Sequence, residues 1–530
     1  MPSSEDVRAE PAAAPWWRSA VLYQVYPRSF ADSDGDGVGD LRGITGRLDH
    51  LVDLGVDAVW LSPFYASPMV DFGYDITDHC AVDPVFGTLA DVDALVAAAH
   101  ARGLRVLVDV VPNHTSDRHP WFAESRSSRD SGRRDWYVWA DPGPGGGPPN
   151  NWLSAFAASG PAWTLDGRTG QYYLHSYTAA QPDLNWQNAA VREAVHDVLR
   201  FWLERGVDGF RVDAAHRLVK DPTLADNPAD VAHLRTALVP GGTRLRHIDQ
   251  PGVHEVLREV RAVVGPDTLL LGEIGVADPT RWAAYYGSGD ELVPLNPTFW
   301  SRPCTTDALR SAVDTTEAVL PPGGWPVYAL GNHDLSRLAT RCGSARARLA
   351  AVLLLTLRGT PLVYYGDELG MTDVPVPPEA ARDPDGRDPA RTPMQWDASP
   401  GAGFTTGRPW LPIPPTAGTV NVAAERADPG SLLNLYRALI RLRRRSPALR
   451  TGDYRPLPPT DPGLYAYWRQ AGDQRILVAL NATGRSRTVA PPGTSTGRLL
   501  LSTDPDRPLG ECPDPLVLAA DEAVVVESDR

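Results

Sequence analysis

From about residue 20 onward the chain alternates short apolar runs rich in β-branched residues with longer stretches of helical periodicity. VLYQVY (21–26), VDAVWL (56–61), RVLVDVV (105–111), VDGFRVDA (207–214), TLLLGEI (268–274), ELVPLNP (291–297), WPVYALGN (325–332) and PLVYYGDE (361–368) read as eight strands. Their near-continuous apolar character is that of parallel strands covered on both faces. Helical segments such as LADVDALVAAAHARG, before the third strand, separate most of them. Eight such units predict a closed (β/α)8 TIM barrel. A doubly wound open sheet would need a glycine-rich phosphate loop after the first strand, and the sequence has none there.

The pattern is interrupted twice. Residues 112–187, rich in Trp, Pro, Gly and Ser, predict an inserted subdomain over the barrel mouth, and a second, Pro-rich excursion spans about 372–420. The barrel domain is thereby divided into 16–111 and 188–448. After a helix around 431–446, the runs GLYAYWRQ, QRILVALNAT, GRLLLS and EAVVVES predict a C-terminal antiparallel β-sandwich over 449–530. The composition of residues 1–15 predicts disorder, and it shows no basic-then-apolar leader. The longest strongly apolar run, LAAVLLLTL (349–357), is about half a membrane span.

Composition bounds the function. A chain of 530 residues predicts two or three domains. A net charge of −14 repels nucleic acid and anionic membrane surfaces, so a small neutral substrate is the expected partner. Neither a monomer nor a homodimer is favoured. The 16 Trp and 17 Tyr suit stacking on sugar rings as well as core packing. Cys80, Cys304, Cys342 and Cys512 are scattered with no CxxC pair, which predicts buried free thiols and a cytoplasmic location.

Chemistry concentrates at four strand ends: DVVPNH from 109, GFRVD from 209, LLLGEI from 269 and GNHD from 331. Strands delivering Asp, His, Arg and Glu to one rim form the layout of a barrel active site. Glycosidic cleavage with retention needs two carboxyl groups about 5–5.5 Å apart. Asp213 ends the fourth strand and Glu273 the fifth, and neighbouring strands lie ~4.8 Å apart. Arg211, two residues before Asp213, points to the same side and can keep it ionised. Glu273 lies among apolar neighbours, a setting that raises a carboxyl pKa toward a general acid's requirement.

These segments resemble the conserved regions of the α-amylase superfamily, glycoside hydrolase family 13. QPDLN (181–185) resembles the fifth region of its oligo-1,6-glucosidase and α-glucosidase subgroup, and SDGDGVGDLRGI, VDFGYDITD, GTPLVYYGDE and RTPMQWD extend the likeness over about residues 20–400. The resemblance implies Asp213 as nucleophile, Glu273 as acid/base and Asp334 as the third carboxylate gripping ring hydroxyls. It implies His114 and His333 as donors to sugar hydroxyls and Arg211 as the holder of Asp213. Asp71 and Arg391 match residues that pair at the bottom of the terminal-glucose subsite in exo-acting members. Tyr74 matches a stacking platform, with Phe156 and Tyr177 as aromatic walls. Ala214, after the nucleophile, goes with α-1,4 cleavage where Val goes with α-1,6.

DSDGDGVGD (32–40) places carboxylates at alternate positions, like the first nine positions of a calcium-hand loop. Asp32, Asp34, Asp36 and Asp40 with the Val38 carbonyl are candidate ligands for a structural Ca2+, with Mg2+ possible; Gly43 stands where that loop would end in Glu. The expected activity is a retaining exo-α-glucosidase on maltose and short α-1,4 oligosaccharides. A transglucosylase, an isomerase such as a trehalose synthase, and an oligo-1,6-glucosidase would use the same site. A non-catalytic transporter subunit is disfavoured because all three carboxylates are present.

Overall fold

All eight predicted runs form strands of one closed parallel barrel in the computed structural model: β1 (Leu22–Val25), β2 (Ala58–Leu61), β3 (Arg105–Val110), β4 (Gly209–Val212), β5 (Leu269–Glu273), β6 (Val293–Asn296), β7 (Val327–Ala329) and β8 (Thr360–Tyr364). Each pairs with its neighbours in chain order, and β8 returns to β1. The structure describes residues 14–236, 244–287, 291–299, 302–383, 385–458, 461, 463–489 and 497–529. The predicted disorder of residues 1–15 falls, but for the last two, outside them.

The outer helices form because their apolar residues fall at three- and four-residue spacing. Val253–Val264 buries Val253, Val256, Leu257, Val260 and Val264. Side chains hold the helix starts: Asn188 caps Ala189–Glu204, and Thr88 forms a reciprocal capping box with Asp91, each cap contributing about 1 kcal/mol. Within β5, Gly272 permits close packing. A Cβ there would lie 2.1 Å from Leu292 Cδ2, so any other residue would require Leu292 to repack beside the strand that ends in Glu273.

The insertion after β3 holds a three-stranded antiparallel sheet (Trp139–Ala140, Trp163–Asp166, Gln171–Leu174) around Trp152, Ala162, Trp163 and Leu174. Lys220, after β4, anchors it through a buried pair with Asp183 at 2.9 Å. The C-terminal part is a six-stranded antiparallel sheet with a two-stranded one, Arg487–Val489 and Leu516–Leu518. Period-two alternation splits its faces. Tyr465, Tyr467, Ile476, Val478, Ala523 and Val525 join the main core, whereas Leu464, Trp468, Leu477, Val524 and Val526 form a second one. Buried Arg469 ties this part to the barrel by donating to the Thr356 carbonyl, and buried Arg443, in the last helix before it, donates to the Leu357 carbonyl.

Two cysteines depart from expectation. Cys304 and Cys342 are paired, their Cα atoms 5.5 Å apart; Cys80 and Cys512 are free. Spacing along the chain hid this pair, because the segments after β6 and β7 meet only in the folded barrel. Among the described residues no helix is long and apolar enough to cross a membrane, and LAAVLLLTL is buried, most of it in the helix Ser344–Thr356.

Candidate active site

The ends of β3, β4 and β5 converge on one guanidinium. Asp109 pairs in register with Arg211, and Arg211 with Leu271, so Asp213 and Glu273 follow at matching heights on neighbouring strands. Arg211 Nη1 donates to Asp109 Oδ1 and Asp213 Oδ1, each at 2.6 Å, and Nη2 donates to Glu273 Oε2 at 2.7 Å. Both carboxylates of the expected double displacement thus lie within the span of one planar fork. The Arg211 side chain is buried over Trp60 and Tyr74.

Ala214 adopts a left-handed conformation (φ 46°, ψ 34°) that turns its N–H onto Glu273 Oε2 at 3.1 Å. Strain of this kind in a non-glycine residue is characteristic of functional sites. The apolar setting expected for Glu273 needs correction. Its leucine neighbours fill the barrel, but the strand's last residue reaches the polar rim, where Arg211 and the Ala214 N–H hold it.

Electrostatics separate the carboxyls. Burial pushes Asp213 well above the usual carboxylate range; Glu273, Asp109 and Asp334 add to this and Arg211 opposes it. Burial likewise raises Asp109 to about 6 against the pull of Arg211. One guanidinium faces three acidic side chains, so the cluster favours keeping a proton. At Asp334 burial also disfavours the charge, but His333, Arg387 and Arg391 together hold this carboxyl below the usual range. The structure therefore separates an Asp334 held ionised from a group under Arg211 that resists full ionisation.

The histidines are built in as neutral rings. His333 contacts Gln24 Nε2 through Nδ1 and the Tyr74 hydroxyl through Nε2, both at 2.8 Å, and stacks on the Tyr74 ring at 5.4 Å. His114 Nε2 lies 3.2 Å from Gln181 Nε2, which donates onward to Asp71 Oδ2 at 2.9 Å. Burial lowers His114 to about 4 and His333 to about 3. Phe156 and Tyr177 meet edge to face at 5.3 Å, and Tyr177 contacts the His114 ring, so both half-buried rings stand beside the same cluster.

The expected pairing of Asp71 with Arg391 is not formed. Arg387 Nη2 donates to Asp71 Oδ1 at 2.5 Å, and Arg387 Nη1 donates to Asp334 Oδ1 at 3.0 Å. Arg391 donates instead to Asp334 Oδ1 at 3.1 Å, to Asp383 Oδ1 at 3.2 Å and to the His333 carbonyl at 2.7 Å. The short helical turn Asp388–Ala390 sets the two arginines four residues apart against the same acidic groups, and the earlier one reaches Asp71. Arg387, Asp383, Asp109 and Gln24 were not singled out from the sequence. Asp109 was visible in DVVPNH, whereas Arg387 and Asp383 sit in a Pro-rich stretch that no strand end marks.

In the acidic loop, Asp32, Asp34 and Asp40 each offer an oxygen within 4.8 Å of the others. Asp36 stands outside that trio and accepts the Val38 N–H at 2.7 Å. Gly37 (φ 95°) makes the turn possible, since a Cβ there would collide with the Arg408 carbonyl at 1.8 Å. Three hard oxygen donors this close fit a Ca2+- or Mg2+-sized cation.

Residues 24–452 match the model of the α-amylase family, described as its catalytic domain. A probable α-glucosidase of Rhizobium meliloti is 43% identical over 507 residues, spanning 89% of this chain and 90% of the relative. An oligo-1,6-glucosidase of Parageobacillus thermoglucosidasius is 40% identical over 516 residues, spanning 88% and 90%. The solved α-glucosyl transfer enzyme XgtA superposes with TM-score 0.89 at 40% identity, covering 97% of this chain and 100% of its own. The isomaltulose synthase SmuA of Protaminobacter rubrum gives TM-score 0.91 at 33% identity, covering 97% and 99%.

Proposed function

The chain belongs to the α-amylase family, glycoside hydrolase family 13, and is a glycoside hydrolase. From that premise we propose that it is a retaining exo-α-glucosidase, releasing terminal α-1,4-linked glucose from maltose and short malto-oligosaccharides. The observation that carries this reading is the ion-pair lattice joining buried Asp71 through Arg387 to the partly exposed Asp334, beside the Asp213–Arg211–Glu273 cluster. In this reading the two arginines gripping acidic groups close one side of a subsite for a single glucosyl unit, with Tyr74 beneath it and Phe156 and Tyr177 at the entrance.

In the form whose shared proton sits on Glu273, with Asp213 ionised against Arg211, Asp213 attacks the anomeric carbon while Glu273 gives its proton to the departing oxygen; the glycosidic C–O bond breaks and a β-glucosyl ester forms. Arg211 and the Ala214 N–H occupy Glu273 Oε2, so the transferable proton belongs on Oε1. Glu273 then takes a proton from water, the water oxygen attacks the same carbon, and the ester bond to Asp213 breaks. Asp334, held ionised, grips ring hydroxyls and favours the oxocarbenium-like state, while the neutral His114 and His333 rings exchange their Nε2 contacts with Tyr74 for sugar hydroxyls when substrate binds.

Ala214 supports α-1,4 preference, although the likeness to an oligo-1,6-glucosidase keeps α-1,6 cleavage as the competing linkage. The likeness to XgtA and SmuA favours a second reading, in which a sugar acceptor replaces water at the ester. Products formed at high maltose concentration test the choice. Hydrolysis predicts glucose as the dominant product; dominant trehalose, isomaltose or a glucosylated acceptor would overturn it. We also propose a structural Ca2+, with Mg2+ as the alternative, on the Asp32–Asp40 loop. Chelation is expected to lower the melting temperature by several degrees without abolishing chemistry in the folded enzyme.

A further inference from the structure

Asp383 lies in the Pro-rich stretch after β8, and its side chain is fully buried although it carries a charge. Its carboxylate is the meeting point of both site arginines. Oδ1 accepts from Arg387 Nη2 at 2.5 Å and Arg391 Nη1 at 3.2 Å; Oδ2 accepts the Arg387 N–H at 2.8 Å and Nε at 3.0 Å. Oδ2 also receives the Asp385 N–H at 3.1 Å, closing the local turn. Burial opposes this charge, but the two arginines hold the carboxyl below its usual range.

Arg387 and Arg391 repel each other, as the downward influence of Arg387 on Arg391 shows. Something negative must hold them side by side before they can present N–H groups to Asp71 and Asp334. Asp71 and Asp334 cannot do this alone: Asp71 meets only Arg387, its Oδ2 being taken by Gln181, and Asp334 must keep an oxygen for ring hydroxyls. We infer that Asp383 is a positioning residue: it gathers Arg387 and Arg391 so that the pair grips Asp71 and Asp334 in the geometry that receives a glucosyl unit. It touches no reacting atom and acts through Arg387.

The inference rests on the terminal-glucose reading only for where the sugar sits, so its test uses an aryl α-glucoside, which needs the glucosyl subsite alone. Asp383→Asn is expected to lower kcat/KM about 30-fold, as removal of the charge on a buried, paired group should. Arg387→Gln is expected to lower it at least as much. The double variant should be no worse than Arg387→Gln, because residues acting through one another are not additive. Asp383→Glu, which keeps the charge, is expected to recover most of the loss. Should Asp383→Asn fail to fold, Asp383→Ser with Arg387→Gln completes the same cycle, since Ser also removes the charge. Fully additive losses in the cycle would overturn the inference. So would Asp383→Asn melting and turning over like the native enzyme, or Asp383→Glu being as poor as Asn. Starch preference in the native enzyme would refute the exo reading and leave this result standing.

Discussion

The two sides of the scissile bond are built differently. On the donor side every charged group has a named partner, and Asp71, Asp109, Arg211, Asp213 and Arg391 are buried: Asp71 pairs with Arg387, Asp334 with Arg387 and Arg391, Arg211 with Asp109, Asp213 and Glu273. Where the donor subsite opens toward the acceptor stand two half-buried aromatic rings, Phe156 and Tyr177, and the buried methyl of Ala214. Paired buried charges accept one geometry and penalise others strongly, whereas apolar walls discriminate weakly. On the proposed reading the donor sugar is therefore specified by the lattice, and the acceptor by shape and access.

Removing the nucleophile breaks the donor side most completely. Asp213→Ala is expected to lower kcat by on the order of 10^4–10^6-fold in a maltose assay, and retained turnover would remove the double displacement. Next comes Arg387→Ala, which leaves Asp71 and part of Asp334 unpaired. A loss of about 3–5 kcal/mol in transition-state stabilisation is expected for maltose, read as kcat/KM, with activity on soluble starch falling less. Equal losses on both substrates would separate Arg387 from pocket closure.

The acceptor side should respond more gently. Ala214→Val is expected to raise the isomaltose-to-maltose ratio by about 1–3 kcal/mol in kcat/KM. Because residue 214 has positive φ, a β-branched replacement also adds strain of order 1–3 kcal/mol, visible as a lower melting temperature. An unchanged ratio would assign linkage to other residues. The smallest effect concerns pH. Burial depresses His114 to about 4, so the folded state favours its neutral form. Its stabilising share is complete above about pH 6.5 and is lost as pH falls through about 4. His114→Asn should therefore show a shallower decline of melting temperature over that window than the native chain; parallel curves would contradict the assignment.

Much of this was legible before folding was considered. Eight apolar runs carried the barrel because parallel strands buried on both faces cannot hide their pattern. Asp213, Glu273 and Asp334 were legible because strand ends are short, regular places where a polar residue stands out. Arg387 and Asp383 were not, because their stretch has no period and its partners lie more than 300 residues away for Asp71 and about 50 for Asp334. Arg391, adjacent to the recognisable TPMQW run, drew the pairing that its neighbour four residues earlier makes. The Cys304–Cys342 pair escaped for the same reason: a loop and a helix end after different strands meet only in three dimensions.

The most direct test of the donor-side account is the ratio of kcat/KM for maltose to that for soluble starch in the native enzyme. A subsite closed by Asp71 and Arg387 admits only a chain end, and the account predicts a ratio of about 100-fold or more in favour of maltose. Comparable values on the two substrates would mean that a long chain passes through the site, and would contradict the closed pocket.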